Sequence, residues 1–71
     1  MFKSRFIRGA SGLLAGRIDE DDHGSRGYDA GGTFVGRYNR FSDRTFDNNG
    51  RVFTLSGDAL TALIFGEKRK W

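Results

Sequence analysis

Cysteine and proline are both absent from this chain of 71 residues, and histidine and tryptophan each occur once. Without cysteine no disulfide can form, and a single histidine argues against a structural zinc site. No apolar run approaches the roughly 18 residues that a membrane span needs, and the acidic stretch 19–22 interrupts a secretory signal pattern. We therefore predict a soluble, cytoplasmic protein that enters no membrane and holds no metal or cofactor.

The chain is also short, and chains of this size bury only about 60% of their unfolded surface. We expect one domain over residues 1–71. With disulfides and zinc excluded, oligomerisation or docking on a larger partner is the usual remaining source of stability, so a homodimer is one prediction. Eleven glycines without proline indicate turns and bulges between strands rather than a disordered linker.

Positive charge is concentrated at the two ends of the chain. Twelve lysines and arginines against nine acids give a net charge of +3. We predict a basic N-terminal arm at 1–11, which frays or packs along the domain, and a basic tail at 67–71. If the protein binds nucleic acid, the terminal cations are candidates for phosphate contacts: Lys3, Arg5, Arg8, Lys68, Arg69 and Lys70.

A repeated phrase organises the middle of the chain. Residues 26–32 are echoed by residues 44–50, and residues 12–18 by residues 32–38. Each Asp-x-x-Gly predicts a type I turn with a G1 bulge, because the Asp side chain accepts backbone hydrogen bonds and the Gly supplies a positive φ. The fold class is therefore mainly β: a five-stranded antiparallel meander over 12–55, as an open sheet or a small barrel.

The turns also predict which residues face one another across strands. Their geometry gives these pairs: Tyr28 with Phe34, and Phe46 with Val52. If residues 40–42 form the loop of the intervening hairpin, Gly36 lies opposite Phe46, so that a ring covers a strand glycine. By the same logic Gly16 lies opposite Tyr28.

Alternation along the strands sorts the side chains into two faces. One face is predicted to be the core: Leu14, Ile18, Tyr28, Phe34, Tyr38, Phe46 and Val52. The other face is predicted to be apolar at its ends with an arginine stripe across it: Leu13, Arg17, Val35, Arg37, Arg51, Phe53 and Leu55.

Beyond the repeats the pattern becomes typical of a short helix at 58–65. Apolar residues recur there at i, i+3 and i+4: Leu60, Leu63 and Ile64. Ser56, Gly57 or Asp58 can cap its start, and Gly66 can end it. A sixth strand over the same residues is the alternative, because short apolar runs fit both.

The chain contains no catalytic constellation, and we predict that the protein is not an enzyme. His23 lies in the acidic loop 19–25, where carboxylates at this density could ligate a divalent metal. The spacing does not match an EF-hand loop. Charge runs without ligand geometry are usually solvated, so a hairpin tip in water is the prediction.

The arginines of the strands allow two interpretations. Basic strands interleaved with aromatics grip single-stranded nucleic acid, the cations following phosphates and the rings stacking on bases. Alternatively, each arginine of the stripe pairs with a cross-strand carboxylate: Arg17 with Asp29, Arg37 with Asp43 and Asp47, and Arg51 with Asp47.

Apolar groups without an internal position indicate a docking surface. Trp71 follows three cations, and Phe41 stands at a predicted hairpin tip. We predict that a partner is bound by arginines together with apolar groups: Arg17, Val35, Arg37, Phe41, Arg51, Phe53, Leu55 and Trp71.

Residues 28–37 read Tyr-Asp-Ala-Gly-Gly-Thr-Phe-Val-Gly-Arg. This resembles the Tyr-Asp-x-x-Gly-x-x-x-Gly-Arg β-repeats that occur in tandem in many bacterial and phage proteins. The match covers about residues 12–55, and the second copy has Phe46 for Tyr and Thr54-Leu55 where Gly-Arg would stand. The resemblance implies a β-meander and carries over no catalytic residue.

These features favour a small non-enzymatic protein that docks on a protein or ribonucleoprotein partner and modulates it. An inhibitor of a host defence complex carried by a phage or mobile element, of the anti-CRISPR kind, fits the size and composition. Two alternatives stay open: a small basic nucleic-acid-binding or regulatory protein, and a self-assembling structural component with open sheet edges.

Overall fold

The computed structural model describes residues 3–66, which form six antiparallel strands and one short helix. The elements follow in chain order: β1 (Lys3–Arg8), β2 (Leu14–Glu20), β3 (Gly24–Asp29), β4 (Phe34–Asn39), β5 (Arg44–Asp47), β6 (Val52–Thr54) and α1 (Leu60–Ile64). Each strand pairs with its sequence neighbours, so the sheet is an open meander with β1 and β6 at its edges. The mainly β class is therefore confirmed. Over the described range no helix has the length and apolar character required to cross a membrane.

The Asp-x-x-Gly turns form through the side-chain chemistry that predicted them. Asp29 Oδ1 accepts hydrogen bonds of 2.9 Å from the backbone N–H groups of Gly31 and Thr33. Gly32 closes the turn at φ 85°, a conformation that strains any residue with a Cβ. The turn at 47–51 repeats the same bonds. The two cross-strand pairs next to these turns are confirmed: Tyr28 with Phe34 and Phe46 with Val52.

Residues 3–8 form a strand, β1, where the sequence predicted a basic arm over 1–11. β1 pairs with β2 throughout, and a turn of the same kind joins the two strands. The Gly12 N–H donates to the Gly9 carbonyl at 2.9 Å, and the Gly9 N–H donates to the Leu13 carbonyl at 2.9 Å. The prediction of five strands was therefore short by one. Gly9 stands where the other turns have Asp, so the side-chain signal for this turn is missing.

The loop between β4 and β5 is one residue longer than predicted. Asn39 lies opposite Arg44, so the loop consists of residues 40–43. Asp43 completes it at φ 56°, a left-handed conformation that Asp and Asn adopt more readily than other side chains. The predicted three-residue loop 40–42 is thus wrong, because Asp43 extends the turn instead of pairing.

A shift of one residue in register moves every side chain of a strand to the other face. Arg37, rather than Gly36, lies opposite Phe46. The hairpin of β2 and β3 shows the same difference: Arg17, rather than Gly16, lies opposite Tyr28. The predicted partition of the two faces was therefore wrong. The aromatic rings share a face with Arg17 and Arg37, and the glycines point to the side that the helix covers.

The core lies between this glycine side of the sheet and α1. Ile18, Phe53 and Leu60 are its buried apolar side chains among the described residues. The helix packs on β2, β3 and β4 over three strand glycines: Gly16, Gly27 and Gly36. A Cβ atom on Gly16 would lie 2.8 Å from Ile64 Cγ2, so the helix side chain rests directly on strand backbone.

The helix begins at Leu60, inside the predicted range 58–65, and the sixth-strand alternative for these residues is excluded. A buried threonine anchors its start, where the N-cap Ala59 offers no side-chain bond. Thr45 Oγ1 donates to the Gly57 carbonyl at 2.7 Å and accepts from the Ala59 N–H at 2.9 Å. Thr45 is fully buried, so these bonds join β5 to the helix away from water.

The glycine contacts predict a graded response to alanine substitution. Gly36→Ala would place a Cβ 2.6 Å from Leu63 Cδ1 and against the Phe46 carbonyl oxygen. We expect it to lower the free energy of unfolding by about 1–3 kcal/mol, the usual cost of overpacking. In Gly27→Ala the Cβ would meet Val35 Cγ2 at 3.3 Å and Leu60 Cδ2 at 3.5 Å. This matched variant should cost distinctly less. Urea unfolding followed by circular dichroism measures both variants. Equal losses of unfolding free energy would contradict the close packing of α1 on Gly36.

The buried hydroxyl of Thr45 predicts a difference between two conservative variants. Thr45→Val keeps the shape but leaves the Ala59 N–H without its partner, which we expect to cost about 1–3 kcal/mol of unfolding free energy. Thr45→Ser keeps the hydroxyl and loses one methyl group, so it should be the more stable of the two. Urea midpoints for the pair test this, and a valine variant as stable as the serine variant would show that the bonds contribute little.

Candidate functional site: an uncovered face of arginines and aromatics

Two rows of side chains cross the face of the sheet opposite α1. Residues directly opposed in an antiparallel pair point to the same face, so the register defines each row. The first row runs across four strands: Phe6, Arg17, Tyr28 and Phe34. The second row runs across five strands: Asp19, Arg26, Arg37, Phe46 and Val52. We call these residues the arginine–aromatic face.

Arg17 is held in the first row by two neighbours. Its guanidinium carbon lies 4.6 Å from the centroid of the Tyr28 ring, a cation–π contact. Its Nε lies 3.1 Å from Asp19 Oδ1, but the same buried nitrogen makes no hydrogen bond. The N–H of this nitrogen is therefore not aligned with the carboxylate, and the contact is an ion pair without a hydrogen bond. The acid is Asp19, not the Asp29 predicted from sequence.

Arg37 repeats the stacking one hairpin later. Its guanidinium carbon lies 4.5 Å from the centroid of the Phe46 ring. Within residues 3–66 it takes part in no ion pair, so the predicted pairing with Asp43 or Asp47 is wrong. Arg37 is exposed. Its charge therefore stands in solvent above an aromatic ring.

Arg26 lies directly opposite Arg37 in the register of β3 and β4. The Cβ atoms of directly opposed residues are about 4.5–5.5 Å apart, and like charges in this position repel each other. Both side chains are exposed, and in the described part of the chain neither has an ion-pair partner. The pair is thus a local concentration of positive charge, and the acid beside it in the row, Asp19 opposite Arg26, is already ion-paired with Arg17.

A shallow groove of about 430 Å³ begins at this arginine pair and extends toward the β5–β6 turn. It combines two cations, two aromatic rings and polar turn residues: Arg26, Arg37, Tyr28, Phe34, Asp47, Asn48 and Gly50. The Tyr28 and Phe34 rings meet edge to face, with centroids 5.9 Å apart and planes inclined at 63°. The groove therefore offers a positive end and an aromatic wall.

The partner-binding residues predicted from sequence do not form one surface. Arg17 and Arg37 lie on the arginine–aromatic face. Phe53 is only 5% exposed and belongs to the core, so its predicted exposure is wrong. Val35 is half-buried at a bulge in β4, on the helix side next to Gly27.

Three other predicted residues are exposed but lie outside the two rows. Phe41 is 79% exposed in the loop 40–43, where its ring is 6.1 Å from that of His23. Leu55 follows β6, and Arg51 lies in the β5–β6 turn, bonded to Asp47 Oδ1 through its backbone N–H rather than its guanidinium. Trp71 lies outside the described residues.

The terminal cations that the sequence predicted to contact phosphate lie partly on β1 and partly outside the described residues. Lys3, Arg5 and Arg8 are exposed along the edge strand β1. Arg5 Nη2 lies 3.6 Å from Glu20 Oε1, a partly solvated ion pair. The remaining candidates, Lys68, Arg69 and Lys70, lie outside the described residues.

The acidic loop between β2 and β3 is organised by its own backbone. Asp21 Oδ1 accepts hydrogen bonds from the backbone N–H groups of His23 at 2.8 Å and Gly24 at 3.1 Å. The first of these bonds is the largest cause of the lowered pKa of Asp21, and the charge of Arg26 is the smallest. No group of three or more potential metal ligands is assembled within residues 3–66.

No protein-family model matches the chain, and no curated protein or solved structure is significantly similar to it. The resemblance to tandem Tyr-Asp β-repeats therefore stays a prediction. Functional inference depends on the chemistry of the arginine–aromatic face.

Tyr38, at the end of β4, provides a spectroscopic test of the loop that sets the register. Its hydroxyl donates to Asp43 Oδ1 at 2.6 Å, and this bond to a carboxylate is the main cause of the raised pKa of Tyr38. The bond favours the neutral phenol in the folded state. Its contribution to stability is therefore present below the ordinary tyrosine pKa of about 10 and is lost as the pH rises through the higher folded pKa.

Asp43→Asn should lower the pKa of Tyr38 toward its ordinary value, because the carboxylate charge is removed while a residue that tolerates positive φ is kept. Absorbance titration of tyrosinate in a Tyr28→Phe background isolates the one phenol. An unchanged midpoint would mean that Asp43 does not hold Tyr38 in solution.

Proposed function

We propose that the protein is a non-enzymatic binding protein that docks on an anionic partner through the arginine–aromatic face and modulates that partner by occupying its surface. The observation that carries the proposal is the opposed pair of Arg26 and Arg37. The acid opposite Arg26 on the other side, Asp19, is ion-paired with Arg17, so the two exposed cations face each other with like charge in the free protein. A partner that brings negative charge between them relieves this repulsion on binding.

The rest of the face suits docking rather than catalysis. Phe6 is 62% exposed beside Arg17, and arginine with aromatic groups is the composition enriched where proteins bind partners. A ribonucleoprotein or an acidic protein surface fits the charge. Inhibition of a host defence complex that contains nucleic acid is one activity that such a face would allow.

Edge-to-edge assembly is the less favoured alternative. β1 carries three cations along an exposed edge strand, and β6 has only three residues. Charged and very short edge strands are the usual means by which sheets avoid pairing with one another. A structural component that polymerises would be expected to present a longer, uncharged edge.

Retention on immobilised heparin, a polyanion without bases, tests the proposal. Arg26→Gln/Arg37→Gln should elute at clearly lower salt than the unmodified protein, because both cations of the face are removed. The matched control Lys3→Gln/Arg8→Gln removes the same charge from β1 and should shift elution less. A control shifted as far as the face variant would place anion binding on the terminal cations, and no retention at low salt would remove the proposal.

A further inference from the structure

The groove beside the arginine pair has the parts needed for one class of anionic partner. Its two ends differ chemically: cations at Arg26 and Arg37, and a turn with the amide of Asn48 and the carboxylate of Asp47. The rings of Tyr28 and Phe34 line the space between. A volume of about 430 Å³ lies within the range of roughly 300–1,000 Å³ in which small ligands bind, and it suits a unit the size of a nucleotide.

Phosphate fits the positive end of the groove better than a protein carboxylate does. Arg26 and Arg37 stand directly opposed on neighbouring strands, and both line the same end of the groove, Arg37 with its guanidinium on the Phe46 ring. Tetrahedral phosphate presents oxygens in several directions to two guanidinium groups, whereas a planar carboxylate is satisfied by one arginine through a bidentate contact. An acidic peptide would also leave the aromatic wall unused.

The aromatic wall accounts for the remaining surface. Phe34 is half-buried and lines the groove, and it carries no stacked guanidinium, unlike Tyr28 and Phe46. Bases splayed from a single strand pack on exposed aromatic rings of a sheet while arginines follow the backbone. Paired bases in a duplex cannot reach such a ring, so the groove selects for unpaired nucleotides.

On the basis of the proposed function, we propose that the anionic partner is single-stranded nucleic acid. One phosphate is held between Arg26 and Arg37, and an adjacent base packs on Phe34. The side-chain amide of Asn48, which lines the groove, would then be the hydrogen-bonding group next to the edge of that base.

Fluorescence anisotropy with a labelled, unstructured RNA of about ten nucleotides tests this, since single strands occupy about 4–16 nucleotides on comparable sheets. DNA of the same sequence, the corresponding duplex, a heparin fragment and poly-aspartate are the comparison probes. We expect the single strands to bind most tightly. Phe34→Leu should weaken single-strand binding about fivefold or more and leave heparin binding unchanged, while Phe41→Leu, the same change on an exposed ring in loop 40–43, should alter neither.

The salt dependence gives a second readout. Removing one phosphate-binding cation should reduce the slope of log K against log salt by about 0.7 for a single strand, so Arg26→Gln should flatten it and Phe34→Leu should not. If heparin or poly-aspartate binds as tightly as RNA and Phe34→Leu changes nothing, the nucleotide inference is overturned while docking on an anionic partner stands. If no polyanion binds, both fail.

Ultraviolet cross-linking of the unmodified protein to the same RNA keeps the inference testable should Phe34→Leu not fold. Peptides carrying cross-links are expected from β3 and β4, around Tyr28 and Phe34. Cross-links confined to β1 would overturn the inference, because the strand would then follow the terminal cations instead of the groove.

Discussion

The absence of side chains at Gly16 and Gly36 is the constraint on which the rest of this structure depends. A helix of five residues has almost no intrinsic stability, because nucleation costs more than so few hydrogen bonds return. It persists here because Ile64 and Leu63 approach the strand backbone at points where any Cβ would collide with them. Because these glycines have no side chains, the side chains of α1 pack directly on the strand backbone. The glycines also exclude large rings from those positions on that side.

Four aromatic residues lie on the opposite face, and arginines stack on two of them: Phe6, Tyr28, Phe34 and Phe46. The guanidinium groups of Arg17 and Arg37 lie over the rings of Tyr28 and Phe46. Such side chains place their apolar stems along apolar surface and keep the charge in water. One sheet is thus made compatible with solvent by two different means: a helix on one side, and cation–π stacking on the other. The second means leaves positive charge available to a partner.

Much of the fold follows from local chemistry that can be recognised in the sequence. The turns at 29–33 and 47–51 are specified by an Asp carboxylate and a Gly at fixed spacing, and both were predictable because all their bonds are local. β1 was missed because Gly9 carries no side-chain acceptor. The register between β4 and β5 was predicted wrongly because Asp43 can either pair or extend the loop. The turn propensity of Asp does not distinguish pairing from extension of the loop, whereas a shift of one residue in register moves every side chain of the strand to the other face.

The candidate site was only partly predictable for the same reason. Arg17 and Arg37 were identified as exposed cations, but with the wrong neighbours, because the predicted register placed glycines under the rings. Of the residues that line the groove, Arg26 was not among the predicted site residues, and Phe34 was assigned to the core. Phe53 was placed on the surface although it is buried, because alternation along one strand does not show which distant parts of the chain pack against it.

The Gly-Arg pair of the repeat explains how one short phrase can build both faces. Successive residues of a strand point to opposite sides, so in Gly36-Arg37 the glycine admits the helix while the arginine stacks on Phe46. Where the second copy has Thr54-Leu55 instead, the sheet ends, and the Thr54 hydroxyl bonds to the Gly57 carbonyl at 3.2 Å on the way to the helix.

Repeat geometry accounts for the stacked arginines but does not account for the opposed pair. Arg26 and Arg44 occupy equivalent positions in the two copies, yet Arg44 lies opposite Asn39 and only Arg26 lies opposite another arginine. Like charges in directly opposed positions repel each other, and the stacking of Arg37 on Phe46 does not require a second arginine at position 26. Neither turn formation nor helix packing uses this pair, and the proposed docking on an anionic partner would give it a physical reason.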